Sequence, residues 1–488
     1  MNERLEEVLI QRMIPQPESV SFSEGVCVIA NGVRVELATA GSGAAAKVRA
    51  RFKQFWSVDA EVCMSTAASC EELAPEGYRL NVAPERIAIT AQGIAGVEHA
   101  LKTLRQLAEA GRGTATTQNY VLQACKIEDA PRLNFRGIHL CIFPETPMSF
   151  IEKQIRLAAY HKFNYAIIEA WGVFPFISRP EFGWADRKKS RAEFERLLQV
   201  AQECGITLIP QFNLFGHATM ARVNSAKHAV LDAHPELAPL FEPSGWSFCL
   251  SNPEARKALA ELVTELHDFY GNPEYFHIGC DEAYDFMSCR ACAEQEPVAL
   301  LHGHIAFFHR LLAERGARTI MWHDMLIDSA DPRWKDCVVY GSKRTATLID
   351  TLPQDIVIAD WQYSAAPESN PDQEWPTSRF FQERGFDVII CPWLERQGIR
   401  QTAAMADRRK MFGLLETTWH LTNGARLDPM FIDAPSAAWR GADTIKMPPH
   451  VTLAAHLRDI GRDMGISTYE ESGHTQLQIA EQSVTPEW

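Results

Sequence analysis

No stretch of the sequence reaches the ~18 consecutive apolar residues that a membrane-spanning helix requires, so a membrane partner is not expected. A basic block is missing too. The 48 Lys and Arg stand against 62 Asp and Glu, and a formal charge of −14 argues against nucleic acid or anionic lipid as the main partner. The N-terminal MNERLEEVLIQRMIPQPE has no apolar core of signal-peptide length. Short repeats and low-complexity tracts are absent, which excludes a solenoid or an extended linker. No Gly-x-Gly-x-x-Gly turn follows any apolar run, so an open dinucleotide-binding sheet lacks its signature.

What is present is globular. Of 488 residues, 46% are hydrophobic and 10% aromatic, ample for a large core. At about 150 residues per domain the length suggests roughly three ordinary domains, or one barrel with smaller units beside it. Twelve scattered cysteines, several inside apolar runs, together with the missing leader fit reduced thiols and a cytoplasmic protein.

Residues 1–130 interleave short β-rich runs (GVCVIA, VRVELA, YRLNVA, RIAITA) with two helical patterns, AAAKVRARFKQFWSV and IAGVEHALKTLRQLAEAG. They predict a small α+β domain. Asp129-Ala130-Pro131-Arg132 marks a joint, because the residue before a proline is pushed out of the helical region. Over residues 131–430 eight apolar runs recur: FRGIHLCI, FNYAIIE, GITLIPQF, YFHIGC, ARTIMWH, DIVIADW, FDVIICPW and FGLLETTW. Amphipathic helices separate most of them. Such strands form a parallel sheet covered by helices, and eight is the number that closes a (β/α)8 barrel. Residues 431–488 hold one amphipathic segment, VTLAAHLRDIGRDMG, expected as a helical extension packed on the barrel. The last dozen residues are polar and expected to be mobile.

In such a barrel, chemistry gathers where strands end and βα loops begin. The fourth run, Tyr275-Phe276-His277-Ile278-Gly279-Cys280-Asp281-Glu282, closes an apolar strand with two adjacent carboxylates. A two-residue period puts His277, Gly279 and Asp281 on one face, with Glu282 at the loop entrance. Such a pair can divide its duties: one carboxylate stays ionised while the other, in a drier place, keeps its proton and acts as an acid. A helix cap or a surface ion pair is the other reading of the same spacing. Arg136, inside the first run, must be paired or face a polar cavity. His217 ends the third run, where a lone histidine is more often structural. Trp171, Trp322, Trp361, Trp393 and Trp419 recur at strand ends and together suit a flat, partly apolar ligand such as a sugar ring. Asp324 and Glu416 are candidates either to bind hydroxyls or to be ion-paired.

At His277-Ile278-Gly279-Cys280-Asp281-Glu282 the sequence resembles the signature of the family-20 glycoside hydrolases, the β-N-acetylhexosaminidases. Ile127 to Arg132 followed by Phe135-Arg136-Gly137 is similar to that family's entry into its first barrel strand. Asn164 to Glu169 with Phe174-Pro175, and Ile209-Pro210-Gln211 with Phe215-Gly216-His217, resemble the cytosolic hexosaminidase D-like branch. The resemblance implies a (β/α)8 TIM barrel behind a small α+β domain, and exo-hydrolysis of terminal β-linked GalNAc or GlcNAc. It also implies a retaining, substrate-assisted mechanism, the exception to the two-carboxylate scheme. Asp281 is then implied to orient and stabilise the acetamido nitrogen. Glu282 would protonate the leaving oxygen and afterwards activate water. By the same carry-over Arg136 would hold the hydroxyls on C3 and C4, His217 would support the pocket, and Trp322, Trp361 and Trp419 would enclose the acetamido group and sugar face. Glu169, Asp324, Trp393 and Glu416 complete the expected binding set.

The sequence departs from the family pattern in several places. Cys280 replaces a glycine of the signature, Glu169 and Gly172 replace a His and an Asp after the second strand, and Asn213 replaces an Asp of the third. Cys391-Pro392-Trp393-Leu394 lacks the tyrosine that bonds the acetamido oxygen, with Tyr340 and Tyr363 as substitutes. Trp419 is followed by His420 and Leu421, where the family has Trp-x-Glu. Looser recognition at C4 would admit galactosamine-configured sugars.

Other classes remain open: a glycoside hydrolase for a different sugar, or a carbohydrate-binding protein of the same fold without turnover. A zinc hydrolase would need ligands at strand ends, whereas His302 and His304 open a predicted helix. Cys280, Cys289 and Cys292 crowd one short stretch, and Cys289-x-x-Cys292 has zinc spacing, with His302 or His304 as a fourth ligand. A second close cysteine pair is missing, so free thiols or a local disulfide are expected, with no cofactor and no metal. The expected partner is a carbohydrate substrate alone.

Overall fold

The protein, seen here in a computed structural model, is described over residues 3–65, 70–110, 120–218, 227–366, 374–419, 429–441 and 450–465. It divides into two compact units: one of residues 1–134, 156–162 and 424–488, the other of residues 135–155 and 163–423.

The first unit is built on a sheet of β1 (Ser19–Ile29), β2 (Arg34–Ala38), β3 (Glu61–Met64), β4 (Tyr78–Ala83), β5 (Arg86–Ala91), β6 (Glu109–Ala110) and β7 (Tyr120–Asp129). The order is β1-β7-β4-β5-β2-β3, with β6 paired to β7. Strand alternation turns Tyr78, Leu80 and Val82, and Ile87, Ile89 and Ala91, to one side. There they join Val48, Phe52 and Trp56 of helix Ala44–Trp56 and Val97, Leu101 and Leu104 of helix Ile94–Leu107 in one core. Asp129, at the end of β7, is buried and accepts hydrogen bonds from four donors: Tyr78 Oη (2.8 Å), Lys162 Nζ (2.9 Å), Trp439 Nε1 (2.8 Å) and the Glu18 amide (2.9 Å).

The segment beyond residue 430, expected on the barrel, belongs instead to this first unit. Helix His450–Asp463 buries Leu453, Leu457 and Ile460. Its polar residues are matched within the same unit: Arg105 pairs with Asp463 at 2.7 Å, and Thr452 and His456 bond to the carbonyls of Gln11 and Arg12. The last dozen residues, expected to be mobile, lie outside the described residues.

The second unit is a closed parallel barrel of β8 (Phe135–Ile142), β9 (Tyr165–Ala170), β10 (Thr207–Gln211), β11 (Tyr275–His277), β12 (Arg318–Trp322), β13 (Val357–Asp360), β14 (Asp387–Ile390) and β15 (Gly413–Glu416). Neighbours follow chain order, and β15 closes on β8 with Leu415 opposite Gly137. Each strand lies within one of the eight apolar runs or overlaps it. Phe135, Ile167, Ile209, Ile320, Val357, Ile389 and Leu415 point inward and fill the barrel, so the strand ends, not a central pore, form the working surface.

Candidate active site

β11 stops at His277, and the chain then leaves extended geometry: φ is 65° at Gly279, 74° at Cys280 and 47° at Glu282. The two-residue alternation expected to reach Asp281 therefore ends at His277. Left-handed backbone at Cys280 and Glu282 is unfavourable for residues with a side chain. Packing on both sides holds it. A Cβ on Gly279 would fall 2.0 Å from Asn213 Oδ1, and one on Gly216 would fall 1.9 Å from the Asp281 carbonyl oxygen. Only glycines let the loops after β10 and β11 approach so closely. The backbone of Glu282 is fixed independently: its amide donates to Asp324 Oδ2 at 2.9 Å and its carbonyl accepts from the Trp246 indole.

Between the two carboxylates stands His217. Its Nε2 lies 3.4 Å from Asp281 Oδ2 and 3.0 Å from Glu282 Oε2. Burial alone would lower the His217 pKa, but the charges of Asp281 and Glu282 outweigh it and carry it up to about 10. Burial raises the Asp281 carboxyl above its usual range against the pull of His217, while Asp281 Oδ1 is buried with no hydrogen-bond partner. Glu282 goes the other way: burial would raise it, but hydrogen bonds from His217 and the Tyr284 hydroxyl bring it below the ordinary value. In the free protein Asp281 is thus shifted up and Glu282 down, against the directions expected for a proton-donating Glu282.

These shifts predict how stability responds to pH. The folded pKa of His217 lies above the unfolded value of about 6.5. Its contribution is therefore complete below that value and lost as pH rises through about 10. The stability deficit of His217→Asn, measured by urea denaturation, is expected to be largest near pH 6 and to shrink steadily towards pH 10. A deficit constant across that range would mean that the imidazole is neutral.

Beneath the pair lies a second polar layer. Glu169, the fifth residue of β9, is fully buried. Asn213 Nδ2 donates to its Oε1 at 2.7 Å, and its Oε2 lies 3.1 Å from His139 Nε2 and 3.5 Å from Cys141 Sγ. Asp324 is likewise buried, holding the Glu282 amide with one oxygen and Trp361 Nε1 at 3.3 Å with the other. Glu169 and Asp324 belong to the expected binding set; in the free protein both oxygens of each hold other groups of the protein.

Arg136 and Glu416 are also corrected. Arg136 is the second residue of the eight-residue β8, about 20 Å below its end at ~3.3 Å per residue. Alternation with inward-facing Phe135 turns it away from the barrel interior, as alternation with Leu415 turns Glu416. The two opposite charges share the outer face of neighbouring strands, two places apart in register, with Glu416 at the mouth end of β15.

The aromatic expectation is met in part. Trp322 is wholly buried as a floor, its ring 4.3 Å from His277 and 5.5 Å from Trp419. Trp361, nearly buried, lies 5.3 Å from Tyr363, which in turn lies 5.1 Å from Trp393 and 6.2 Å from Trp419. Trp171, Trp393 and Trp419 are half-buried. The Tyr363 hydroxyl is raised by burial and by the charges of Asp281 and Glu282. Tyr340 is exposed, 5.3 Å from Tyr284. Residues the sequence reading missed are Trp246, whose ring lies 4.6 Å from His217 and 5.7 Å from Tyr284, and Tyr284 itself. An aromatic two residues beyond the acidic pair was the available clue to the latter. His420 and Leu421 lie outside the described residues.

Among the described residues, three groups of side chains bring potential metal ligands within 4.8 Å of one another: His217–Asp281–Glu282, His139–Cys141–Glu169 and Cys249–Cys289–Cys292. Ligand-type residues therefore do gather at strand ends. In the first group a single nitrogen is shared between two carboxylates, and in the second the side chains bond to each other. Cys280 is not in the third group. His302 and His304 bond instead to the carbonyls of Thr351 and Leu214.

Comparison with known proteins places this geometry in context. Residues 11–130 match the model described as glycosyl hydrolase family 20, domain 2, and residues 185–396 match glycosyl hydrolase family 20, catalytic domain, together more than half of the chain. The chain is 21% identical over 372 residues to lacto-N-biosidase of Bifidobacterium bifidum, covering 70% of this chain and 32% of that protein. It is 26% identical over 279 residues to β-N-acetylhexosaminidase of Cellulomonas fimi, covering 53% and 52%. The chain thus spans between a third and about half the length of these curated relatives. Among solved structures, the exo β-N-acetylglucosaminidase of Vibrio harveyi superposes with a TM-score of 0.68 at 17% identity, over 94% of this chain and 78% of that one, a likeness of fold.

Proposed function

The chain belongs to glycosyl hydrolase family 20, and from that premise we propose that it is an exo-acting β-N-acetylhexosaminidase that releases a terminal β-linked amino sugar with retention. The observation that carries this reading is the pairing of two unlike carboxyls. Asp281 offers a buried oxygen with no donor of its own, and Glu282, beside it, is half-buried with a proton-bearing histidine at 3.0 Å.

A buried carboxylate oxygen without a partner is costly, and a substrate acetamido N–H would satisfy it. The acetamido carbonyl oxygen then bonds to the anomeric carbon as the glycosidic C–O bond breaks. The electron pair leaves with the aglycone oxygen, which takes a proton from Glu282. The positive charge that forms on the oxazolinium ring faces the Asp281 carboxylate. Water subsequently attacks the anomeric carbon and gives a proton to Glu282, while the bond from that carbon to the acetamido oxygen breaks and its electron pair restores the amide. The neighbouring amide supplies the high effective molarity that a protein nucleophile would otherwise provide.

Glu282 must begin protonated, although its pKa is shifted down in the free protein. A bound sugar would strip water from its carboxylate, whose side chain is 22% exposed, and raise its pKa. The proton held on His217 Nε2 is then the nearest source. Tyr363, packed between Trp361 and Trp419, is suited to donate to the acetamido oxygen in place of the absent seventh-strand tyrosine. Tyr363→Phe is expected to lower kcat about 10²-fold on a nitrophenyl N-acetyl sugar, in line with loss of one preorganised donor, with little change in thermal stability. An unchanged kcat would remove Tyr363 from this role.

The direct test compares nitrophenyl β-N-acetylglucosaminide, β-N-acetylgalactosaminide and the plain β-glucoside. Turnover of either acetamido sugar, with the glucoside inert, is the expected result, and the ratio of the two reports tolerance at C4. Equal turnover of the glucoside, or cleavage of neither amino sugar, would overturn the proposal. A reducing cytoplasmic setting is part of this reading, supported by twelve cysteines, eight of them buried, none joined in a disulfide. Cell fractionation that placed the protein outside the cytoplasm would reverse that part.

A further inference from the structure

Cys249 lies forty residues before Cys289 in sequence, yet its Sγ is 3.6 Å from Cys289 Sγ and 3.7 Å from Cys292 Sγ. The second cysteine pair that a zinc site ordinarily shows is missing from the sequence; the fold supplies a single distant thiol instead. A tetrahedral zinc with bonds of about 2.3 Å to sulfur has S···S edges of about 3.8 Å, close to both separations. A disulfide would join two of these sulfurs and leave the third idle.

The surroundings are those of a ligand set. The Cys292 amide donates to Cys289 Sγ at 3.3 Å, and Ser251 Oγ donates to Cys292 Sγ at 3.2 Å; hydrogen bonds onto sulfur favour the thiolate. Glu242 is 1% exposed, and its Oε2 accepts from the Cys289 amide at 2.6 Å and from Ser288 Oγ at 3.2 Å. Its Oε1 is buried without a hydrogen-bond partner. One carboxyl, with an oxygen left unmatched, and three gathered thiols make up a four-donor set.

We propose that Cys249, Cys289, Cys292 and Glu242 form a tetrahedral structural site for a zinc-class divalent cation. Three thiolates with one carboxylate are a donor set for zinc rather than for magnesium or calcium. The site would clip two segments of the barrel unit together. One is the loop after β11, which carries Asp281, Glu282 and Tyr284 and continues to Cys292. The other runs from Glu242 to Ser251 and carries Trp246, whose indole holds the Glu282 carbonyl. The contact of Ser244 Oγ with Asp285 lies on the same seam. The cation would act on catalysis only through the position of that loop.

The test is the metal content of the full chain, expressed with zinc supplied and purified without chelator. One zinc per chain is expected, retained in Cys63→Ser, an exposed thiol elsewhere, and lost or bound at least 10²-fold more weakly in Cys292→Ser. Cobalt substituted for zinc should give thiolate charge-transfer and tetrahedral ligand-field bands in the wild type that are absent in Cys249→Ser. Should the cysteine variants fail to fold, Glu242→Gln, which keeps all three thiols, is expected to weaken zinc retention and shift the cobalt spectrum. A wild type without metal, with all twelve thiols free to react with a disulfide reagent, would overturn the proposal. So would a disulfide among Cys249, Cys289 and Cys292 found by mass spectrometry.

Discussion

Glu282→Gln is expected to lower kcat on nitrophenyl β-N-acetylglucosaminide by about 10²–10⁴-fold, the span of a lost general acid–base, while KM stays within a few-fold. The amide keeps the size of the side chain and can still accept from Tyr284, but it has no proton to give the leaving oxygen. The Glu282 backbone is secured through its amide to Asp324 and its carbonyl to Trp246, so the loop should survive the exchange and thermal stability should barely move. The deficit should also depend on the leaving group. A dinitrophenyl aglycone needs little protonation, so its first step should recover, while the hydrolytic step, which needs a base, stays slow. A variant equally impaired on both aglycones would place the defect elsewhere. Retention of wild-type kcat would remove Glu282 from the reaction.

The second large effect lies in the first unit. Asp129→Ala is expected to destabilise that unit by about 3–5 kcal/mol, the cost of breaking a buried ion pair from one side. Lys162, fully buried, would lose its counter-charge at 2.9 Å, and Tyr78 and Trp439 would lose their acceptor. Urea denaturation of the variant measures the loss. Adding Lys162→Met should restore part of it, because the stranded ammonium is then gone and the two substitutions act on one network. A loss below about 1 kcal/mol in the single variant would mean that water reaches Lys162.

Much of the barrel was readable from residues alone. FRGIHLCI is β8 to the residue, because an apolar run bounded by polar turns has no other way to bury both faces. The runs around Tyr165, Thr207, Arg318, Val357, Asp387 and Gly413 overran their strands by only a few positions. β7 was harder: Gln123, Lys126 and Glu128 interrupt its apolar residues, although β1 and β4 flank it on both sides. The acidic pair was legible by type and position, but its geometry was not. A period of two holds only while φ stays extended, and Gly279, Cys280 and Glu282 do not comply. Arg136 misled for a related reason, since a family motif fixes its neighbours but not the face it occupies. Cys249 and Trp246 could not be grouped with residues some forty positions away without the fold. The C-terminal helix looked equally suited to any apolar surface; Asp463 and His456, which choose its neighbours, carry no sequence mark of doing so.

The backbone contact at Gly216 and Gly279 bears on how such a barrel can be re-engineered. Specificity in this architecture is usually altered by transplanting one strand-to-helix loop at a time. Here the loop after β10 carries Asn213, Gly216 and His217, and the loop after β11 carries Gly279, Asp281 and Glu282, with two side-chain-free approaches between them. Neither is an independent cassette. A donor loop with alanine at either glycine would push its neighbour's backbone or carboxamide aside, so the two have to travel as a matched pair.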